Sequence, residues 1–219
     1  MGEDDAWRVL LREASSRRNL HIIGISGPGE PLYNAQVFSF LERVQNADMD
    51  FRMCLSTNGV LLAQKAKLLK ELGADTVSIS MSAIAPETCA QLYRWANVGG
   101  EVLTGHRMGE VIVSRQLDGI REATSEGINV KVNSILIPAI NTSEMNLLAK
   151  AITDSGALLQ NIVPLVPTGN MSSSRRPTAD EVASARKEAG AYIRQFAYCR
   201  QCRSDVVGIP GCDSVLALK

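Results

Sequence analysis

The chain has five cysteines, and two of them are spaced for metal binding. Cys199 and Cys202 form a C-x2-C pair whose sulfurs could reach one metal or each other, and Arg200 and Arg203 favour the thiolate form. A zinc ribbon would need a second C-x2-C, which the sequence lacks, and a thioredoxin motif would follow a strand near the N-terminus. By itself, this cysteine pair supplies only half of the ligands of a metal site.

The other three cysteines carry weaker signals. Cys54 lies in an apolar run, where a single cysteine is most often a small buried hydrophobe. Cys89 falls in a predicted helix and Cys212 in the C-terminal tail, and we interpret both as structural or incidental.

Two turns that follow apolar runs could bind a ligand. Gly27 and Gly29 offer exposed backbone donors and Glu30 a carboxylate, although a plain strand-to-helix turn would look the same. Ser56 and Asn58 belong to a second turn whose Asn-Gly step is typical of hairpins. Because a helical pattern follows, we expect a strand-to-helix loop there instead.

Polar residues also alternate with apolar ones inside two predicted strands. Ser78, Ser80 and Ser82 fall on one face of the first, where a packed core would prefer aliphatic groups. The next strand has three further polar residues: Lys131, Asn133 and Ser134. The solvated face of an edge strand would explain either pattern singly, but together they predict a polar interior.

The elements that must position these residues alternate between strand and helix. The predicted strands are residues 20–26, 51–57, 76–82, 128–137 and 157–165, and the predicted helices include residues 5–17, 35–45, 63–72, 113–126, 143–154 and 179–196. Residues 166–178 are rich in Pro, Gly and Ser and are predicted to form a loop. This order predicts an α/β fold with a parallel sheet or barrel, and it places the chemistry at the carboxyl ends of the strands.

Composition narrows the possible partners. Lys plus Arg and Asp plus Glu each count 23, so the net charge is zero and no basic field would attract nucleic acid or an anionic membrane. The N-terminus lacks the pattern of a signal peptide, and no apolar run is long enough to span a membrane, so we expect a cytoplasmic protein.

Six segments together resemble one known family. They are GISGPGEPLYN (24–34), CLSTNG (54–59), Tyr93-x-Trp95 with Thr104-Gly105, KVNSILIPAIN (131–141), NIVPL (161–165) and CRQCRSDVVG (199–208). In this order they resemble the NifB family of radical S-adenosylmethionine (SAM) proteins, and the GPGEP portion resembles the superfamily generally. The resemblance implies a partial (β/α)6 barrel of the TIM-like type. It also implies a lyase-type maturase that builds the carbide-containing iron–sulfur precursor of the nitrogenase FeMo cofactor, using SAM and 4Fe–4S clusters.

The resemblance assigns roles to individual residues. The SAM-binding set would be Gly27, Gly29, Glu30, Ser56, Asn58, Ser80 and Asn133, and the ligands of the iron–sulfur units would be Cys54, Cys199 and Cys202. This reverses the interpretation of Cys54, because thiolates are the ligands that iron–sulfur clusters require. The implied partners are iron–sulfur cluster donors and a cofactor carrier.

One departure from the family is clear. Radical SAM enzymes hold their SAM-binding cluster with a C-x3-C-x2-C triplet, and this sequence has none. We therefore expect residues 1–219 to be a single core domain truncated on its N-terminal side, without the first barrel strand, with a C-x2-C tail at 199–219. Such a chain would be inactive by itself and could self-associate at an open barrel edge.

Two alternatives from other classes remain open. One is a non-catalytic iron–sulfur scaffold or carrier that uses the same three cysteines. The other is a barrel enzyme acting on sugar phosphates, which is disfavoured because only Gly169 is available for a phosphate-binding loop after the fifth strand.

Overall fold

The computed structural model describes residues 1–17 and 20–196, together with two short strands at 206–207 and 214–215. The strands are β1 Ile22–Ile25, β2 Arg52–Thr57, β3 Ala74–Ser80, β4 Ala96–Val98, β5 Glu101–Leu103, β6 Asn129–Leu136, β7 Leu159–Pro164, β8 Val206–Val207 and β9 Ser214–Val215. The α-helices are α1 Glu3–Ser16, α2 Ala35–Asn46, α3 Leu62–Glu71, α4 Pro86–Leu92, α5 Gly105–Ser125, α6 Met145–Asp154 and α7 Ala179–Ala189.

Five strands form the central sheet, in the order β1-β2-β3-β6-β7. Every neighbouring pair is parallel, and each strand-to-strand connection carries at least one helix. The strands and their parallel arrangement confirm the prediction from sequence. The curved sheet of a partial barrel therefore brings five carboxyl ends to one edge.

The two faces of the sheet differ in polarity. On the face that packs against the helices, Leu55, Val77, Ile79, Val132 and Ile162 are at most 1% exposed. The residues between them point to the other face, because side chains alternate along a strand. Burial of the helix-facing side chains stabilises the fold, and the opposite face is free to be polar.

The long helix α5 packs closely against α3 and α4. A Cβ atom on Gly109 would lie 2.1 Å from the backbone oxygen of Pro86, and one on Gly119 would lie 2.9 Å from Cβ of Leu62. Neither position can accept a larger side chain without moving the neighbouring helix. These two glycines set the depth at which α5 lies over the sheet.

Two predictions of local structure are corrected, and one hairpin was missed. Helix α5 begins at Gly105 rather than at residue 113, and the β4–β5 hairpin before it was not predicted. The last predicted helix, 179–196, ends at Ala189. The amide of Gln160 donates to the carbonyl oxygen of Arg194 (3.0 Å), and the amide of Phe196 donates to that of Gln160 (2.7 Å), so residues 194–196 run beside β7. Pairing with the sheet satisfies these backbone groups, which outweighs local helix propensity.

No helix among the described residues is long and apolar enough to cross a membrane.

Strand β1 lies at the edge of the central sheet opposite to β7. Among the described residues, it pairs only with β2.

Candidate functional site

Glu30 joins the loop after β1 to the carboxyl end of β2. Its Oε1 accepts hydrogen bonds from the Thr57 hydroxyl (2.5 Å) and the Leu32 amide (3.1 Å), and its Oε2 accepts one from the Asn58 amide (2.7 Å). A carboxylate has about four acceptor positions, so about one is left for a ligand. The side chain is only half-buried, which leaves it reachable from the open end of the sheet.

The two glycines before Glu30 lie on an open surface. Gly27 and Gly29 are exposed, and a Cβ atom on either would contact nothing within 4 Å. Packing therefore does not require glycine at either position. The space over this loop could admit part of a ligand close to the backbone.

The polar residues of β2, β3 and β6 line the face away from the helices. The register places Ser56 beside Ser78, and Ser78 beside Lys131. Next to this row, Cys54 Sγ lies 3.9 Å from the Ser78 hydroxyl. The prediction of a polar interior is confirmed for these positions.

A second row lies nearer the carboxyl ends. Ser80 pairs with Asn133, and Asn133 pairs with Asn161 of β7. The Asn161 Nδ2 donates to Asn133 Oδ1 (3.1 Å), and Asn161 is 2% exposed. Ser80 is exposed and Asn133 half-buried, so this row is accessible from the interior.

Two serines that the sequence placed in the interior have structural roles instead. Ser134 is 0% exposed, on the helix-facing side of β6, and its hydroxyl donates to the Met81 carbonyl oxygen (2.8 Å). Ser82 follows the end of β3, and its hydroxyl accepts a hydrogen bond from the Ile135 amide (2.9 Å). Neither hydroxyl is free to line a binding site.

Gln116 was missed by sequence reasoning. This residue of α5 is 3% exposed, and its Nε2 donates to the carbonyl oxygens of Asn58 (2.7 Å) and Ser80 (2.9 Å). It therefore holds together the carboxyl ends of β2 and β3, each of which carries a candidate SAM-binding residue. A single polar residue within an amphipathic helix gave no local signal of this contact.

The interior face carries positive charge. Lys131 is a basic residue at an interior position of the central sheet, beside Ser78. The Lys131 Nζ lies 5.0 Å from the centre of the Phe196 ring, a cation–π contact that restrains the amine. Such a face favours an anionic or zwitterionic ligand.

The described cysteines do not form a cluster site. Among the residues that the structure describes, no three His, Cys, Asp or Glu side chains are grouped to hold a metal. Cys89 is 1% exposed, and burial, with the nearby charge of Glu144, raises the pKa of its thiol to about 11. Cys54 faces the interior, whereas Cys199 and Cys202 lie outside the described residues. The described side chains thus do not fit a SAM-chelating 4Fe–4S cluster.

Comparison with known families agrees with this geometry. The model of the Radical SAM superfamily matches residues 5–152. The protein called FeMo cofactor biosynthesis protein NifB from Methanocaldococcus jannaschii is 37% identical over 206 residues, which are 94% of this chain and 68% of that protein. The chain belongs to the NifB family of the radical SAM superfamily. The protein of the same name from Klebsiella pneumoniae is also 37% identical, over 213 residues that cover 94% of this chain.

The chain is shorter than these relatives. It spans 46% of the Klebsiella pneumoniae protein and 44% of the one from Bradyrhizobium diazoefficiens, to which it is 33% identical.

Comparison with solved structures confirms the fold. A radical SAM methyltransferase from Sphaerobacter thermophilus superposes with a TM-score of 0.59 at 19% identity, covering 88% of this chain and 55% of that one. SuiB of Streptococcus suis gives a TM-score of 0.63 at 11% identity, covering 91% and 44%. At these identities the likeness concerns the fold, and it confirms the predicted partial barrel.

The structure brings most of the predicted SAM-binding residues to one region. Ser56, Ser80 and Asn133 share the interior face, and Asn58 lies beyond the end of β2, bonded to Glu30. Gln116 and Asn161 join this region without having been predicted.

Proposed function

We propose that this chain is a SAM-binding domain that acts in assembling the iron–sulfur precursor of the nitrogenase FeMo cofactor, with lyase-type radical chemistry in the cytoplasm. The observation that carries the proposal is the joining of the GPGE loop to the end of β2 through Glu30, within a chain of the NifB family. That contact puts a carboxylate, an open glycine loop and a polar sheet face at one edge.

The described residues suit the different parts of SAM. Glu30 has about one free acceptor position for the methionine ammonium, and Gly27 and Gly29 leave room for the methionine backbone. Asn58 and Ser80 could bond to the remaining polar groups from the ends of two strands.

The resident 4Fe–4S cluster of this superfamily would supply the electron that cleaves SAM. The sequence contains no C-x3-C-x2-C triplet, and the described side chains do not replace it. We therefore expect this chain by itself to produce no 5′-deoxyadenosine from SAM and dithionite. Production above a cluster-free control would show that other cysteines make a competent site.

Iron–sulfur units would enter as substrates, held by Cys54, Cys199 and Cys202. In support, Cys54 faces a sheet surface with Lys131 as a nearby cation, which suits an anionic cluster. Cys199 and Cys202 lie outside the described residues, so their part in the assignment rests on the resemblance of the C-x2-C segment.

Anaerobic reconstitution with iron and sulfide tests this assignment. Cys54→Ala, Cys199→Ala and Cys202→Ala should each lower bound iron and the thiolate-to-iron absorbance relative to wild type. Cys89→Ala is the matched control, because this buried thiol with a raised pKa should not bind iron. Equal iron in all five proteins would remove the three cysteines from the site.

A non-catalytic scaffold or carrier that uses Cys54, Cys199 and Cys202 is a second candidate. In that case the reconstituted chain would pass its cluster to an acceptor protein without binding SAM. Detectable SAM binding would exclude a pure scaffold.

The partners that we propose are iron–sulfur cluster donors and a cofactor carrier. Self-association is also proposed at β1, because Ile22 is 64% exposed and the outer backbone groups of β1 have no strand partner among the described residues. Sedimentation velocity on the full chain would detect it.

A further inference from the structure

The buried amide of Asn161 is incompletely bonded. Its Nδ2 donates to Asn133 Oδ1, whereas its own Oδ1 is buried with no partner among the residues that the structure describes. An unsatisfied buried polar atom costs stability, so its retention calls for an explanation.

The pairing fixes which way Asn133 faces. Exchanging oxygen and nitrogen in both amides would leave the Asn161 amino group, with two N–H donors, buried and unsatisfied. Buried orphan donors are rarer than under-satisfied carbonyl oxygens, so the observed orientation is favoured. The bond from Asn161 turns the Oδ1 of Asn133 toward β7, so the Nδ2 of Asn133 is the group turned toward a ligand in the interior.

We propose that Asn161 is a positioning residue that makes Asn133 a hydrogen-bond donor toward the ligand. The subsite beside Ser80 and Asn133 then selects a hydrogen-bond acceptor. The inference rests on the proposed binding of SAM, in which the acceptor is an adenine ring nitrogen, a ribose oxygen or the methionine carboxylate. The unsatisfied oxygen of Asn161 is retained because its amide is needed to orient Asn133.

Three substitutions in the full chain test this role. Asn161→Leu removes the orienting bond and also the unsatisfied oxygen. Asn161→Asp supplies oxygens that accept from Asn133 Nδ2, which turns the Asn133 oxygen toward the ligand. The control is Gln160→Met on the opposite face of the same strand, where Gln160 is 0% exposed and bonded to Ser134 and Gln195.

Affinity for S-adenosylhomocysteine, measured by calorimetric titration, should decrease from wild type to Asn161→Leu and again to Asn161→Asp. We expect Asn161→Leu to bind between about threefold and tenfold more weakly, the effect of one hydrogen bond, and Asn161→Asp to bind at least about threefold more weakly again. In urea without ligand, Asn161→Leu should unfold at a midpoint no lower than that of wild type. Gln160→Met should unfold earlier but, where folded, should keep wild-type affinity.

Analogues identify the acceptor. 5′-Methylthioadenosine lacks the carboxylate, its deaza analogues each lack one ring nitrogen, and its 2′- and 3′-deoxy analogues each lack one ribose oxygen. The analogue that lacks the contacted atom should bind wild type and Asn161→Leu with the same affinity.

Two results would overturn the role of Asn161 without contradicting the SAM site. One is an affinity of Asn161→Leu equal to that of wild type. The other is an affinity of Asn161→Asp equal to or above that of Asn161→Leu. A wild-type chain that binds neither S-adenosylhomocysteine nor 5′-methylthioadenosine would overturn the proposed function and this inference with it.

Discussion

Removal of the Glu30 carboxylate should destabilise the protein as well as weaken SAM binding. Glu30→Ala would leave the Thr57 hydroxyl and the Asn58 and Leu32 amides without their acceptor. A hydrogen bond to a charged group contributes about 1.5–3 kcal/mol, and water can replace part of this at the exposed Asn58. We therefore expect the free energy of unfolding to fall by about 3 kcal/mol.

The expected loss of unfolding free energy is large enough to measure. For a chain of this length, 1 kcal/mol shifts the melting temperature by roughly 2–4 °C, so Glu30→Ala should melt about 6–12 °C lower. Glu30→Gln keeps one acceptor oxygen and should lose about half as much. The slope of the urea transition should stay unchanged, because the surface exposed on unfolding is the same.

The matched control is Glu42→Ala, since Glu42 is an exposed residue of α2. SAM affinity should be compared well below the melting temperature, where every variant is folded. If Glu30→Ala unfolds at the same urea concentration as Glu42→Ala, Glu30 does not join the β1 loop to β2. A loss of affinity without a loss of stability would make Glu30 purely a ligand-binding group.

Three further changes have defined outcomes. Gln116→Leu leaves the Asn58 and Ser80 carbonyl oxygens without their donor and should cost about 2 kcal/mol in urea unfolding, whereas the exposed control Ser114→Ala should not change it. The pKa of Cys89 is raised from 9.0 to about 11, so its contribution to stability is complete below pH 9 and is lost as the pH rises toward 11. Cys89→Val should therefore show a shallower fall in unfolding free energy over that range, and equal slopes would contradict the assignment. Thr178→Ala removes the capping box at the start of α7 and should cost about 1 kcal/mol, measured by thermal unfolding.

The sequence was sufficient to predict the five central strands and their parallel arrangement. Short, β-branched runs separated by amphipathic segments report buried strands that are covered by helices, and this property is local. The alternation of Ser78 and Ser80 with Val77 and Ile79 predicted the polar inner face for the same reason, since the pleat assigns alternate residues to opposite faces.

The helix predicted over 179–196 shows where local patterns fail. Residues 194–196 run beside β7, because their backbone groups bond with Gln160, which lies 35 residues before Gln195. A window of sequence cannot reveal which strand edge is available for pairing. The same limit applies to Ser134, whose apparent partner Asn133 points to the opposite face of β6.

The contacts that complete the candidate site were decided by tertiary structure. Glu30 reaches Asn58, Gln116 reaches Ser80, and Asn161 reaches Asn133 only because β1, β2, β3, β6 and β7 are ordered side by side with α5 laid over them. Residue types and spacing could identify groups able to bind a ligand. Which of them bond to each other, and which keep a free donor or acceptor for a ligand, depends on strand order and register, because hydrogen bonds require their atoms to lie within about 3 Å.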